Sequence, residues 1–545
     1  MSKRIRQLRN WTSDRIATFR DAEDGSFIIL SLFLFLAIIV VGGIGVDILR
    51  HDYARVRMQN TADAAALAAA DLDQSLDSKT VVESHFDAAE LTAALQNVSV
   101  SPPSPNSRTV GVTAATDVST WFMPILGVNK LRARTSGTAT EEIQDVEISL
   151  VLDVSGSMEG IRLARLKEAA KRFVDVMLLD RDGNQIVGEI SINLVPYSAQ
   201  VQLDDDFLSK LTLAQAHPYS NCLEFRGADF ETTAIDKSAP IRQHIHVDPF
   251  SYAQDKWDQK PDPANLDCST HAGRKVTYLE DDVNVLKSRI DAFSAQGNTS
   301  TEFGLKVGAM LLDRSTHSIL SSHPNVKSRF HDRPYAMDRI NTLKVVVVMS
   351  DGQNTEHKTF ADGYEGDVVS DTWAVLHEGH YYFTIADTEQ GNVDGDDDYY
   401  EPGYYPTYDS WGKYVLGGSS AKRLTWQQVF ARVTLDWHSW YGRAEQAGSG
   451  TDTRNKQDVF DDWQTRVVQT VGKATKDADT RAICNAIKDQ GILIYSIAFE
   501  ISEAEAELLK SCATNENLHY NVSGTELNYA FSSIATSLNS LQLVQ

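Results

Sequence analysis

Between Ser26 and Val46 the chain reads SFIILSLFLFLAIIVVGGIGV, 21 residues without a charge. A helix rises about 1.5 Å per residue, so this run reaches roughly 30 Å, the thickness of a bilayer's hydrocarbon layer. No water-soluble fold readily hides such a segment near a terminus, and one membrane-spanning helix is predicted over residues 25–49. The run exceeds the apolar part of a secretory signal and no small-residue cleavage site follows at once, which favours an uncleaved anchor. Within the first twenty residues Lys3, Arg4, Arg6, Arg9, Arg15 and Arg20 face Asp14 alone, whereas only Arg50, Arg55 and Arg57 follow the run closely. The positive-inside bias therefore places the basic segment 1–24 in the cytoplasm and the bulk of the chain on the far side. Asp47, near the outer end of the run, is expected as a solvated helix-end charge.

The 545 residues are too many for one ordinary core, and about three domains or large insertions are expected. Lys plus Arg number 51 against 75 Asp plus Glu, a net charge of -24 that repels polyanions and argues against a nucleic-acid partner. Residues 50–98 are rich in Ala, Leu, Arg, Gln and Met, so the membrane helix is expected to continue as a helical stalk. SPPSPNS at 101–107 cannot be helix interior. RTVGVTAATDV and KLRARTSGTAT then alternate as short strands do, predicting a small β-rich neck over 99–145.

From Val146 apolar strands alternate with helices: EISLVLD, GEISINLVPYS, LKVVVVMSDG and ILIYSIAFE against RLARLKEAAKRFVDVMLL and AICNAIKDQG. Continuous Val/Ile/Leu runs belong to strands buried on both sides, so an α/β fold with a parallel sheet covered by helices is predicted. Two stretches, about 200–285 and 356–470, lack this pattern and are read as insertions. The second holds six of the nine tryptophans, Trp373, Trp411, Trp426, Trp437, Trp440 and Trp463. It is expected to build its own small core, to emerge on the rim of the strand tips, and to offer its Trp and Tyr side chains as a contact surface.

Ligands of open parallel sheets bind beyond the strands' C-terminal ends, and three such places carry oxygen donors. Asp153-x-Ser155-x-Ser157 follows ISLVL, Asn298-Thr299-Ser300-Thr301 follows Gly297, and Asp351-Gly352 follows VVVVMS. Together they resemble the von Willebrand factor A family: DxSxS, a threonine in G-x-T-x-T-x-x-G-L, and an aspartate after an apolar strand. The resemblance implies a Rossmann-like domain over 146–541 and a metal-ion-dependent adhesion site (MIDAS) at Asp153, Ser155, Ser157, Thr299 and Asp351, with Ser300 or Thr301 replacing Thr299 if the register slips. Magnesium wants six oxygens, keeps waters and tolerates few carboxylates, which suits this set; Mg2+ or Mn2+ is expected ahead of Ca2+. Neutral hydroxyl ligands leave such an ion attractive to an acidic side chain of a partner.

Other motifs fall short. His377-Glu378-Gly379-His380 spaces its histidines by three rather than the four of a zincin helix. Asp394, Asp396 and Asp398 place Tyr399 where an EF-hand needs glycine. Ser155 lacks the G-x-S-x-G of a nucleophile elbow, and no enzyme is predicted. His244 and His246 are read as surface or packing residues rather than ligands. Cys222, Cys268, Cys484 and Cys512 form no CxxC pair; of three connectivities, Cys222 with Cys268 and Cys484 with Cys512 are favoured because each pair lies within one region, with four buried thiols as the alternative.

The membrane segment carries a second resemblance. Gly25, Gly43, Asp47, Arg57, Gln59, Asp63 and the alanine block match the N-terminus of TadG-like proteins of the TadE/TadG group, which serve bacterial Flp (tight adherence) pilus assembly. INLVPYSAQV at 192–201 and ELNYAFSSIA at 526–535 extend the likeness. A prepilin cut after Gly25 would put Leu30, not glutamate, at the fifth mature position, so the anchor is expected intact. The resemblance implies a single-pass protein of the bacterial inner membrane, bulk periplasmic, that docks pilus-assembly components through the metal. The alternative is a metal-independent scaffold of the same machinery.

Overall fold

The computed structural model describes residues 24–71, 76–101, 107–142, 145–180, 182–254, 260–339, 341–377, 379–386, 399–401, 410–412, 418–446 and 454–543. The basic segment 1–23, Glu378 and the acidic run with Asp394, Asp396 and Asp398 lie outside them. The chain divides into two compact units, residues 1–143 and 144–545.

The first unit is built on α1 (Asp24–Ala70), followed by α2 (Ser78–Ala88) and an antiparallel sheet of β1 (Leu95–Val100), β2 (Ser107–Ser119) and β3 (Lys130–Glu142) in that order. The apolar first half of α1 is long enough to cross a membrane, and its Phe27, Ile28, Leu32, Phe33 and Phe35 side chains lie exposed. The second half carries the helix into the stretch 50–98 read as a helical stalk, and lies against the sheet. Helix ends at Ala70, and Met58, Ala62, Ala65, Ala66 and Ala69 are buried in one core with Val110, Val112 and Ala133 of the sheet. Small side chains allow this: Gly137 of β3 lies so close that a Cβ there would stand 3.1 Å from the Ala62 carbonyl. The alanine block is thus an adhesive face, and stalk and neck are one packed body.

The second unit is mixed α/β with a six-stranded, mostly parallel sheet. Its strands are β4 (Asp145–Asp153), β5 (Ile190–Tyr197), β6 (Thr277–Glu280), β7 (Thr342–Ser350), β8 (Leu493–Phe499) and β9 (His519–Val522), in the order β9-β8-β7-β4-β5-β6. Only β6 runs antiparallel, at the edge. Its place corrects the expectation that 200–285 adds nothing to the sheet; four residues with one partner strand are too few for a readable period. Helices α3 (Ile161–Leu178), α4 (Val283–Asp291) and α8 (Glu526–Leu543) cover Ile148, Leu150, Val345 and Val347 on one face. On the other face α5 (Thr301–Met310), α6 (Lys473–Asp489) and α7 (Glu503–Cys512) cover Val151, Val346, Val348 and Ile494. The odd-even split along each strand follows from the two-residue repeat of side-chain direction.

Trp426, Trp437 and Trp463 are buried with Phe360, Val429 and Phe430, and Ile245 and Val247 from the earlier stretch join the same cluster. This corrects the contact-surface expectation for those three tryptophans: a segment that adds nothing to the sheet must exclude water with its own large side chains, and aromatics bury the most area each. Disulfides join Cys222 to Cys268 and Cys484 to Cys512.

Beside the first disulfide, His244 is fully buried, with Glu224 3.7 Å from Nδ1 and Asp267 3.8 Å from Nε2. Burial alone would lower its pKa; Asp267 and Glu224 outweigh burial and push it up to about 9. A folded pKa above the unfolded value of 6.5 means that this stabilisation is fully present below 6.5 and lost as pH rises through about 9. His244→Phe takes the imidazolium from buried Asp267 and leaves Glu224 with Arg226, and is expected to cost about 3–5 kcal/mol at neutral pH and to abolish the loss of stability through the alkaline limb, measured by thermal unfolding across pH.

Candidate functional site

β4 is apolar from Leu150 to Leu152 and then delivers Asp153. In register Asp153 stands beside Tyr197 of β5, while Leu152 pairs with Met349 of β7, so Asp153 and Ser350 reach the strand tips side by side. Ser350 Oγ donates to Asp153 Oδ2 at 2.6 Å and the Ser155 N–H to Oδ1 at 2.8 Å. The Ser155 and Ser157 hydroxyls are 3.0 Å apart, and Ser157 Oγ donates to Asp351 Oδ1 at 2.7 Å. Two carboxylates and two hydroxyls from segments 194 residues apart therefore meet in one cluster.

The third segment arrives through a close backbone approach. The Gly156 N–H donates to the Gly297 carbonyl at 2.8 Å, and Gly297 has φ +79°, a conformation that favours glycine. Gly304 and Gly308 then let α5 lie directly on the sheet: a Cβ on Gly304 would sit 2.7 Å from the Tyr197 ring, and one on Gly308 2.5 Å from Val151. Lys476 of α6, fully buried, donates to the Thr299 carbonyl at 2.9 Å, Ser300 Oγ at 2.6 Å and the Thr355 carbonyl at 2.6 Å. Ser300 Oγ thus accepts from Lys476. The Thr301 N–H donates to Asn354 Oδ1 at 2.9 Å, and its side chain neighbours the Tyr197 hydroxyl. Thr299 keeps its hydroxyl outside these contacts.

Burial, and then the negative charge of Asp351, push the Asp153 carboxyl up to about 6. Like charges forced together out of water want a cation, and one is near: Arg162 Nη1 lies 2.9 Å from Asp351 Oδ2 while its Nε donates to Glu500 at 2.8 Å. Arg165 holds the other Glu500 oxygen at 2.7 Å. Arg274, buried, donates to the Val154 carbonyl at 2.6 Å behind the loop. The donor set is all oxygen, neutral hydroxyls with two carboxylates, and it fits a hard divalent ion; the guanidinium on Asp351 stands where positive charge is already favoured.

A second group, Asp204, Asp206 and His323, brings possible ligand atoms within 4.8 Å of one another. Its chemistry differs. The Asn325 N–H donates to His323 Nδ1 at 3.3 Å, which leaves the proton on Nε2, and Nε2 faces the Asp204 oxygens at 3.0 and 3.1 Å. This is a hydrogen-bonded pair at the N-cap of a short helix, where Asp204 also accepts the Phe207 N–H.

Residues 25–72 match the Tad family, putative Flp pilus-assembly TadE/G-like. No curated protein matches the chain. Among solved structures, the vWF domain of the type V pili tip protein Mfa5 from Porphyromonas gingivalis is 16% identical and covers 73% of this chain and 96% of its own, with a TM-score of 0.30. The pilus adhesin RrgA from Streptococcus pneumoniae is 11% identical over 81% of this chain and 48% of its own, with a TM-score of 0.27. Proximal thread matrix protein 1 from the mussel byssus, solved with a zinc-occupied MIDAS motif, is 10% identical over 72% and 46%, with a TM-score of 0.25.

Arg162, Arg274, Ser350 and Lys476 were not singled out in the sequence. Ser350 was within reach, since it precedes Asp351 at the strand end. Arg162 and Lys476 sit on helices whose charged residues read as solvent-facing, and nothing in their spacing points 189 or 177 residues away.

Proposed function

We propose that this protein is a membrane-anchored binding protein of a bacterial Flp pilus-assembly apparatus, and that its α/β domain docks a protein partner through a divalent cation. The observation that carries this reading is the single oxygen cluster at the strand tips, with Ser157 Oγ 2.7 Å from Asp351 and Ser155 Oγ 3.0 Å from Ser157. Asp153, Ser155, Ser157, Thr299 and Asp351 would hold Mg2+ or Mn2+, with Ca2+ suiting so compact a set less well. When bound, the ion supplies an electron-poor position for an acidic side chain of the partner. This chain's own residues bind and orient: Ser350 and the Ser155 N–H fix the Asp153 carboxylate, and Lys476 fixes the Thr299 backbone. The reading is of a binder rather than an enzyme. The Tad match at 25–72 supports pilus assembly as the setting and pilus components as partners, and the basic residues ahead of the apolar helix support an inner-membrane anchor with residues 1–24 cytoplasmic.

The test is a pull-down of membrane proteins by the full chain with and without chelator. Partner capture that needs magnesium or manganese supports the reading; capture indifferent to chelator defeats it. One observation favours a second reading, a metal-independent scaffold: Arg162 already pairs with Asp351 at 2.9 Å. The two separate on one variant. Arg162→Met removes a competing cation, and if an ion is to bind, its uptake should tighten by about 1 kcal/mol, roughly fivefold, in calorimetry. In a scaffold, the same change alters no cation affinity.

A further inference from the structure

The turn between β2 and β3 is apolar and unburied. Trp121 is 67% exposed, Ile125 68% and Leu126 62%. It does not project at random. Phe122 packs on Gly43 of α1, where a Cβ would collide with its ring, and the N–H groups of Trp121, Phe122 and Met123 donate to the Asp47 carboxylate at 2.8, 2.8 and 2.9 Å. Asp47 is 1% exposed, which corrects the expectation of a solvated helix-end charge. One turn further along, Arg50 donates to the Ser119 carbonyl at 3.1 Å and stacks on Trp121 at 3.8 Å. The turn is thereby level with Gly43 to Asp47, where the uncharged run ends.

Its backbone is closed on itself. The Gly127 N–H donates to the Pro124 carbonyl at 3.0 Å, Val128 to Met123 at 3.1 Å and Ile125 to Phe122 at 3.3 Å; Thr120 Oγ1 donates to the Val128 carbonyl at 2.6 Å, and Pro124 has no N–H. A loop in water does not need this closure. A loop at membrane depth does, because irregular backbone there must satisfy its polar groups within the protein.

We propose that the Trp121–Val128 turn is a second membrane contact, seated in the acyl–headgroup boundary of the leaflet that α1 leaves. This rests on the reading of α1 as a membrane anchor. Ile125 and Leu126 enter the acyl chains, Trp121 lies at headgroup level as interfacial tryptophans do, and Arg50 and exposed Lys130 at the sheet end face lipid phosphate. Asp47 is the latch that makes such a turn admissible, and the contact fixes the first unit's orientation to the bilayer.

The experiment reconstitutes the full chain in liposomes containing nitroxide-bearing lipids, with a bimane label on one introduced thiol; the described cysteines are all in disulfides. Three sites are compared: Ile125→Cys at the turn, Leu36→Cys within the span, and Val100→Cys at the far end of the sheet, which Arg108 ties to the Asp71 carbonyl. Loss of fluorescence at positions 125 and 36, with position 100 unchanged, is the expected result. Quenching at 36 but not at 125 overturns the turn contact and leaves the anchor standing, the outcome if another protein covers the turn. No quenching at 36 overturns the anchor and the proposal with it. Leu126→Cys reads the same level should Ile125→Cys fail to fold.

Discussion

Asp351→Ala is expected to abolish magnesium and manganese uptake while leaving the fold intact. The residue lies beyond the last hydrogen-bonded pairs of β7, and its carboxylate serves Ser157 and Arg162 rather than a core contact. Groups that merely orient a metal's ligands typically contribute about 10–100-fold to affinity, so loss of one of two carboxylates should exceed roughly 100-fold. The same change removes the negative charge that, after burial, raises the Asp153 carboxyl, and the metal-free protein should be no less stable than wild type at neutral pH. Calorimetric titration of the full chain with each ion measures the first effect and thermal unfolding without ions the second. Wild-type uptake by the variant would remove the cluster from consideration as a cation site.

Arg333→Met is expected to be among the most destabilising single changes in the second unit, and to do so from the opposite end of the sheet. Arg333 is fully buried and its guanidinium donates to Asp145 Oδ1 at 2.7 Å, Ser191 Oγ at 2.7 Å and the carbonyls of Val146, Gly188 and Glu189 at 2.9, 3.2 and 2.8 Å. It ties the entrances of β4 and β5 to the segment before β7. Methionine fills the volume but leaves a buried carboxylate short of a partner and several acceptors dry, at a cost of about 3–5 kcal/mol. Urea unfolding followed through the buried Trp426, Trp437 and Trp463 reports the loss. Cation affinity of the folded fraction should not change, because no group at the strand tips touches this network; a parallel loss of affinity would mean that the two ends of the sheet are coupled.

Local patterns made much of this protein legible from its residues. An uncharged run has one good solvent, Val/Ile/Leu runs bounded by helices have one good layering, and Asp153, Ser155 and Ser157 are adjacent enough that one loop must present them together. The meeting of that loop with Asp351 rested on a family resemblance and on the rule that ligands gather at strand ends. Elsewhere a correct local reading gave a wrong environment. The alanines after Asp47 promised a continuing helix without saying what it packs against, and the tryptophans of the second long stretch promised burial or contact without saying which.

The sequence by itself determined the membrane-length helix and the mostly parallel sheet, because each follows from side-chain pattern within a few dozen residues. The tertiary structure alone decided that Asp47 seats a turn, that Trp426, Trp437 and Trp463 form a core joined by Ile245 and Val247, and that Arg162 and Lys476 serve the candidate site. Those outcomes depend on pairs of groups 74 to 189 residues apart or on shared cores. A lone charge or aromatic ring has no preferred partner until chain closure sets which surfaces meet and which polar groups lose their water.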